Sequence, residues 1–368
     1  MKVARRIKLL LLLQFLFLWN LFSTAQYDSV KSRFSLGLRQ HYGFIIIHSK
    51  DIRNISNSYP LGTELDFNWL YIRKKDWDVC NCYPRIGFSL TFWDFDNPAI
   101  LGYGITSLFY VEPFFGIQNK FSISIRAGAG FSYLSNPYDE TKNPDNQSYS
   151  TNIGFPLLLN FTFNYRINPK LYLNLAANYN HISNGGVNEP NKGINYPTAS
   201  LGIDYYFHPL KIVKRKKTNW RELHPPKKRT DFVFFASAKQ LNHYEFKKYF
   251  IFGFSASKSW QIGRINALTA GLEWLVDGAK KEEIKRDENF SGDYQRGGIM
   301  FGNEFLLGRF IFSQQIGIYF YKPYKVDDFY YQRYGLVFRI TDKFFAGVSL
   351  KAHRHVADFL DFRIGVSL

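Results

Sequence analysis

Phe121 to Tyr133 reads FSISIRAGAGFSY, and its alternation decides the fold. Successive side chains of an extended strand point to opposite sides, so Phe121, Ile123 and Ile125 share one face and Ser122, Ser124 and Arg126 the other. Hydrocarbon on one face and an arginine on the other suit a barrel wall with lipid outside and a polar lumen inside. The same pattern recurs outward from this stretch. It predicts strands at 33–48, 63–74, 85–95, 102–116, 120–135, 149–167, 170–184 and 196–208, then at 230–242, 248–260, 265–276, 297–307, 309–321, 329–341, 343–354 and 358–368. The total of sixteen is even, as a bacterial outer-membrane barrel with both ends on the periplasmic side requires.

The connections argue for the same class. Links after even-numbered strands are mostly tight: 116–120, 168–170, 262–264, 308–309 and 341–343. Links after odd-numbered strands are mostly long and polar: 48–64, 135–148, 184–195, 277–296 and 322–328. Short periplasmic turns and longer external loops are the outer-membrane arrangement. Two links break the rule. Residues 76–84 are somewhat long for a turn, and 208–230, HPLKIVKRKKTNWRELHPPKKRT, is a basic, proline-bearing exposed linker that cannot be a strand. The fold class is therefore all-β, an antiparallel transmembrane β-barrel of about 16 strands. Because the long linker follows the eighth strand, either one wide barrel or two tandem eight-stranded barrels fit. An echo between NPKLYLNLAANYNHIS, ending near His181, and TDKFFAGVSLKAHRHVAD, containing His353, favours the tandem.

Residues 1–26 carry a basic start (Lys2, Arg5, Arg6, Lys8), an apolar run and Ser23-Thr24-Ala25-Gln26, the layout of a cleaved export signal. The run is shorter than the roughly 20 residues of a membrane-spanning helix. The expected organisation is a signal at 1–26, a barrel unit at 27–209, a periplasmic linker at 210–229, and a second barrel unit or the remaining strands at 230–368. The 25 Tyr, 37 Phe and 7 Trp suit aromatic girdles. A formal charge of +17 on an exported chain points to anionic lipid or phosphorylated glycolipid rather than nucleic acid. Cys80 and Cys82 are too few for a disulfide scaffold, and a bridge across one residue is expected to be strained. Zinc-spaced cysteines, calcium loops and glycine-rich phosphate loops are missing from the sequence, so no cofactor is expected.

Chemistry gathers at Asn178–Asn195, NYNHISNGGVNEPNKGIN. His181 and Ser183 stand two residues apart and so share a strand face, the apolar one that also carries Tyr179, Ala177 and Leu175. A hydroxyl becomes a nucleophile when a neighbouring base takes its proton, and an imidazole is the usual base. Taken alone, Ser183-Asn184-Gly185-Gly186 also reads as turn chemistry, since Asn and Gly tolerate left-handed backbone.

The pattern H-x-S-N-x-G at His181–Gly186, followed by P-N-x-G-I at Pro190–Ile194, resembles the lipid A 3-O-deacylases of the PagL family. These are outer-membrane barrels that remove an acyl chain from lipopolysaccharide. The resemblance covers these residues and the barrel pattern of the first half, and not 210–368. It implies a serine esterase acting on lipid A in the outer leaflet, with Ser183 as nucleophile and His181 as general base. It further implies an oxyanion site at Asn184, Gly185 and Gly186. Asn191 and Lys192 are candidate substrate contacts, Lys192 through phosphate. The family's third member is a glutamate, and Asn195 stands in its place. Glu189 is the nearest substitute acid; Asp204 is expected to point into the lumen. Alternatives are a non-catalytic barrel (porin, adhesin or assembly protein) with a decayed site, or an outer-membrane phospholipase using the same pair. His353 and His355 with Asp358 and Asp361 are read as rim residues rather than a metal site, and Ala279–Glu288, AKKEEIKRDE, as a solvated loop.

Overall fold

The first strand decides between one barrel and two, because it has to find its second neighbour. In the computed structural model, which describes residues 32–223, 225–241, 247–287, 292–324, 328–354 and 356–368, the first strand pairs with the second and with the eighth. The first barrel is β1 (Ser32–Gly43), β2 (Leu61–Tyr71), β3 (Tyr83–Asn97), β4 (Gly102–Phe115), β5 (Phe121–Leu134), β6 (Ile153–Arg166), β7 (Leu171–Ser183) and β8 (Ile194–Tyr206). Ser35 lies opposite Tyr206 and Gly43 opposite Thr198, which closes the sheet. The second barrel is β9 (Lys228–Gln240), β10 (Lys248–Gln261), β11 (Asn266–Asp277), β12 (Arg296–Leu307), β13 (Phe310–Tyr321), β14 (Tyr330–Arg339), β15 (Phe344–His353) and β16 (Val356–Ser367). It closes where β16 meets β9. Every pairing is antiparallel and the tandem is the arrangement adopted. The expected signal at 1–26 and His355 lie outside the described residues.

Both barrels are inside-out relative to a soluble protein. In β5, Phe121, Ile123 and Ile125 are exposed, while Ser122, Ser124 and Arg126 are buried. An eight-stranded barrel is just wide enough for side chains to fill its interior. Here the filling is ionic. The Arg126 guanidinium reaches Glu64 at 2.9 Å, Asp66 at 3.0 Å and Glu112 at 3.0 Å, and its centre stands 3.9 Å from the middle of the Tyr110 ring. Arg85 shares Glu112 at 2.6 Å and reaches Asp204 at 2.5 Å, and Arg39 binds Asp66 at 2.6 Å. In the second barrel Glu273 takes both Arg333 and Lys351, and Arg333 also pairs with Asp361. Polar groups facing away from water have to find partners, and charges most of all. Apolar clusters seal both ends of the first barrel: Trp93, Phe95, Ile182 and Tyr196 at one, Trp77, Tyr83, Phe114 and Tyr172 at the other.

Four local readings are corrected. β1 ends at Gly43 rather than 48, because the chain parts from β2 there and keeps only isolated contacts with β8. Residues 76–84 contain a helix, α1 (Lys74–Cys80), held by the Asp76 carboxylate accepting from the Arg73 N–H, and Cys80 is bonded to Cys82 just past its end. The linker carries a short helix, α2 (Trp220–Leu223), and is not a free strap: Leu210 is buried under the barrel and the Val213 carbonyl accepts from Tyr83 Oη at 2.7 Å. Finally, most of Ala279–Glu288 is helical, α3 (Gly278–Arg286), capped by Asp277 accepting from the Ala279 and Lys280 N–H groups and seated through Ala279 and Ile284.

Removing one partner of a buried ion cluster strands the others. Arg126→Leu leaves Glu64, Asp66 and Glu112 short of a cation and is expected to cost about 3–5 kcal/mol of unfolding free energy. Urea titration in lipid vesicles, followed by tryptophan fluorescence, measures this, and Phe163→Leu on the lipid side serves as the near-neutral control.

Candidate functional site

β7 and β8 are neighbours, and their register sets His181 directly opposite Asn195. Such cross-strand pairs sit about 5 Å apart at Cβ, close enough for side chains to bond. Asn195 Oδ1 lies 2.7 Å from His181 Nδ1, and Ser183 Oγ lies 3.1 Å from His181 Nε2. Between these two residues, Ile182 points inward and is fully buried in the mouth cluster, which fixes the end of the strand. The outward face below the pair continues through Tyr179 and Leu175, both exposed. Ser183 itself is 6% exposed.

Asn195 is held from a third direction. Its backbone carbonyl accepts from the Ile46 N–H at 2.8 Å, so the residues after β1 form an extra rung beside β8. That rung brings His48 to the site: His48 Nδ1 is 3.1 Å from Asn195 Nδ2, and His48 Nε2 is 2.9 Å from the Lys192 carbonyl. Nothing local in the sequence marks His48, because it stands 147 positions before Asn195.

The loop after Ser183 spends most of its polar groups on its own shape. Asn184 Nδ2 donates to the Asn188 carbonyl at 2.7 Å and to Ser150 Oγ at 3.2 Å, Asn184 Oδ1 accepts from the Gly186 N–H at 3.0 Å, and the Asn184 N–H donates to Asn191 Oδ1 at 2.8 Å. The Gly185 N–H has no partner among the described residues. Gly193 has φ +69°, and a Cβ there would stand 3.0 Å from His181 Cε1, so only glycine lets the loop pass over the imidazole.

The second barrel touches this loop. The β16 to β9 ladder runs only from Phe362 to Ser367, and beyond it the Leu360 N–H donates to the Gly185 carbonyl at 3.2 Å. Gly186, φ +76°, passes the Asp358 carbonyl, and the Glu189 N–H donates to Gln240 Oε1 at 3.2 Å. The loop of one barrel thus fills the outer end of the seam in the other. At the opposite end, Arg264 in the turn after β10 donates to the carbonyls of Asp78 and Thr218.

Of the residues singled out from sequence, His181, Ser183 and Asn195 come together in one hydrogen-bonded row. Glu189 accepts from the Asn191 N–H at 3.1 Å, while the His181 Nδ1 that it would have to orient is occupied by Asn195. Lys192 Nζ pairs with Asp51 at 3.1 Å, and the ammonium holds the Asp51 carboxyl below its ordinary range. Asp204 lies in the lumen against Arg85. His353 meets Tyr319 Oη at 3.0 Å, Asp358 pairs with Lys239 and Arg296, and Asp361 pairs with Arg333 and Arg363. No grouping of metal-ligating side chains occurs among the described residues.

Among curated proteins none matches the sequence. Of solved structures, Neisserial surface protein A is similar at 10% identity and a TM-score of 0.33, over 47% of this chain and 97% of its own. A mutant porin of Rh. blastica is similar at 9% identity and a TM-score of 0.22, over 91% of this chain and 100% of its own. Likenesses this loose do not bear on the fold. Family models are more informative. Lipid A 3-O-deacylase (PagL) matches residues 59–204, and the C-terminal domain of acyloxyacyl hydrolase matches residues 228–368. The second match takes in the half of the chain where the sequence offered no motif. With one model on each barrel and most of the chain matched, this protein belongs to the PagL-type family of lipid A 3-O-deacylases and acyloxyacyl hydrolases.

Proposed function

We propose that the chain is an outer-membrane serine esterase that removes an ester-linked acyl chain from lipid A or a related glycolipid of the outer leaflet. One observation carries this reading: Ser183, His181 and Asn195 form an unbroken hydrogen-bonded row at the adjoining ends of β7 and β8. Asn195 Oδ1 is only an acceptor, so His181 Nδ1 bears the proton and Nε2 presents its lone pair to the Ser183 hydroxyl. That is the protonation state a general base needs.

Ser183 Oγ attacks the ester carbonyl as its proton passes to His181 Nε2. The tetrahedral oxygen is met by backbone N–H groups of the Gly185-Gly186 turn, of which the Gly185 N–H is unspent. As the intermediate collapses, His181 returns the proton to the departing sugar hydroxyl, leaving an acyl group on Ser183. Water, activated by the same imidazole, then releases the fatty acid. Asn195 orients His181 without lending charge, so the imidazolium is less stabilised than a carboxylate would make it. The porin alternative is disfavoured by lumens filled with buried arginine and carboxylate side chains. Lys192 stays in the scheme as a phosphate contact that would have to release Asp51.

Export with removal of residues 1–26 would place both barrels in the outer membrane, the loop bearing Ser183 outermost. Mass spectrometry of lipid A from expressing cells is the direct test. Wild type is expected to lower the mass by one ester-linked acyl chain and Ser183→Ala to leave it intact; lipid A unchanged by the wild type would overturn the reading. Asn195→Asp, which keeps the 2.7 Å geometry and adds a charge, is expected to raise kcat by about tenfold or more, each tenfold being about 1.4 kcal/mol of barrier. Since serine and imidazole supply the chemistry, turnover in detergent micelles is expected to survive excess chelator, and a strict calcium requirement would refute this mechanism.

A further inference from the structure

An amide has two ends of nearly equal size and opposite chemistry, and at Asn195 only one orientation yields a working base. With Oδ1 toward His181, the imidazole carries its proton on Nδ1 and offers Nε2 to Ser183. With Nδ2 in that place, His181 would have to accept at Nδ1 and carry its proton on Nε2, where it could take nothing from the serine. A carboxylate never meets this difficulty, because both of its oxygens accept.

We propose that His48 is a positioning residue that fixes the Asn195 amide and, through it, the tautomer of His181. The proposal rests on the esterase reading above and extends it. His48 Nε2, 2.9 Å from the Lys192 carbonyl, can only donate there, so the proton of the neutral ring sits on Nε2 and Nδ1 holds a lone pair. That lone pair faces Asn195 Nδ2 at 3.1 Å and accepts from it, which turns Oδ1 to His181. The Ile46 carbonyl stands 3.2 Å from the same Nδ1 and would suit the other tautomer, but the Lys192 carbonyl at Nε2 selects the first. The order of donation runs from Ser183 to His181, from His181 to Asn195, from Asn195 to His48 and from His48 to the main chain. His48 therefore does for an amide what charge symmetry does for a carboxylate.

The test is a double-mutant cycle on the full chain with purified lipid A as substrate, paired with nitrogen-15 NMR of histidine-labelled protein in micelles. His48→Leu is expected to lower kcat by about ten- to a hundredfold with KM within about twofold. His48→Gln, whose side-chain oxygen can accept from Asn195, is expected to recover most of that loss. In an Asn195→Asp background His48→Leu is expected to cost less than about threefold, because the carboxylate has no wrong orientation. The NMR spectrum is expected to show Nε2 of His181 unprotonated in wild type and a mixture of tautomers in His48→Leu. An equal loss in both backgrounds, or an unchanged His181 tautomer in His48→Leu, overturns the proposal. A wild type that leaves lipid A intact defeats the esterase reading instead, and the tautomer measurement still decides the role of His48.

Discussion

Backbone closure is the constraint on which everything else in this molecule hangs. A strand edge facing hydrocarbon has no water to satisfy its N–H and C=O groups, so each sheet must return to its own first strand. In the first barrel that return joins β8 to β1 and to β7 at once. The register of the two seams places Asn195 against His181 on one side and Ile46 on the other. Strand pairing therefore sets the order of the site. The same closure leaves an interior sealed from lipid and from water, which the arginine and carboxylate lattice fills.

Period-two patterning made the sixteen strands legible, because a membrane barrel writes its two solvents directly into alternate residues. Closure was not legible in that way. Whether β8 meets β1 or β9 is a long-range pairing, and an amphipathic strand looks the same with either neighbour. The helix at Gly278–Arg286 was hidden by mixed charge, since only Ala279 and Ile284 carry its apolar face. The bond between Cys80 and Cys82 was not legible, because their separation in sequence says nothing of the turn at the end of α1 that brings them together.

The row of Ser183, His181 and Asn195 was legible for a different reason. Residues i and i+2 of a strand share a face whatever the tertiary structure, and the resemblance to the family motif supplied Asn195 as the third member. His48 was invisible for the complementary reason: it lies in an irregular segment, and only the extra rung at Ile46 carries it to Asn195. The contribution of the second barrel was equally hidden. Leu360 and Gln240 meet the loop through main-chain and amide contacts that leave no pattern in either segment.

Ser183 stands at the top of the strand face that carries the exposed Tyr179 and Leu175, and is itself only 6% exposed. Pulling hydrocarbon out of a bilayer costs about 0.8 kcal/mol for each methylene, so extracting a chain of a dozen carbons into water would cost roughly 10 kcal/mol. A nucleophile at the end of a lipid-facing strand, the role proposed above for Ser183, would avoid that extraction. On the esterase reading proposed above, the acyl chain would stay in the leaflet while only its ester rises to the strand end, and the search for substrate would become diffusion in two dimensions. Encounter would then scale with the surface density of the lipid and not with its concentration in solution, and a released fatty acid would already be in the membrane.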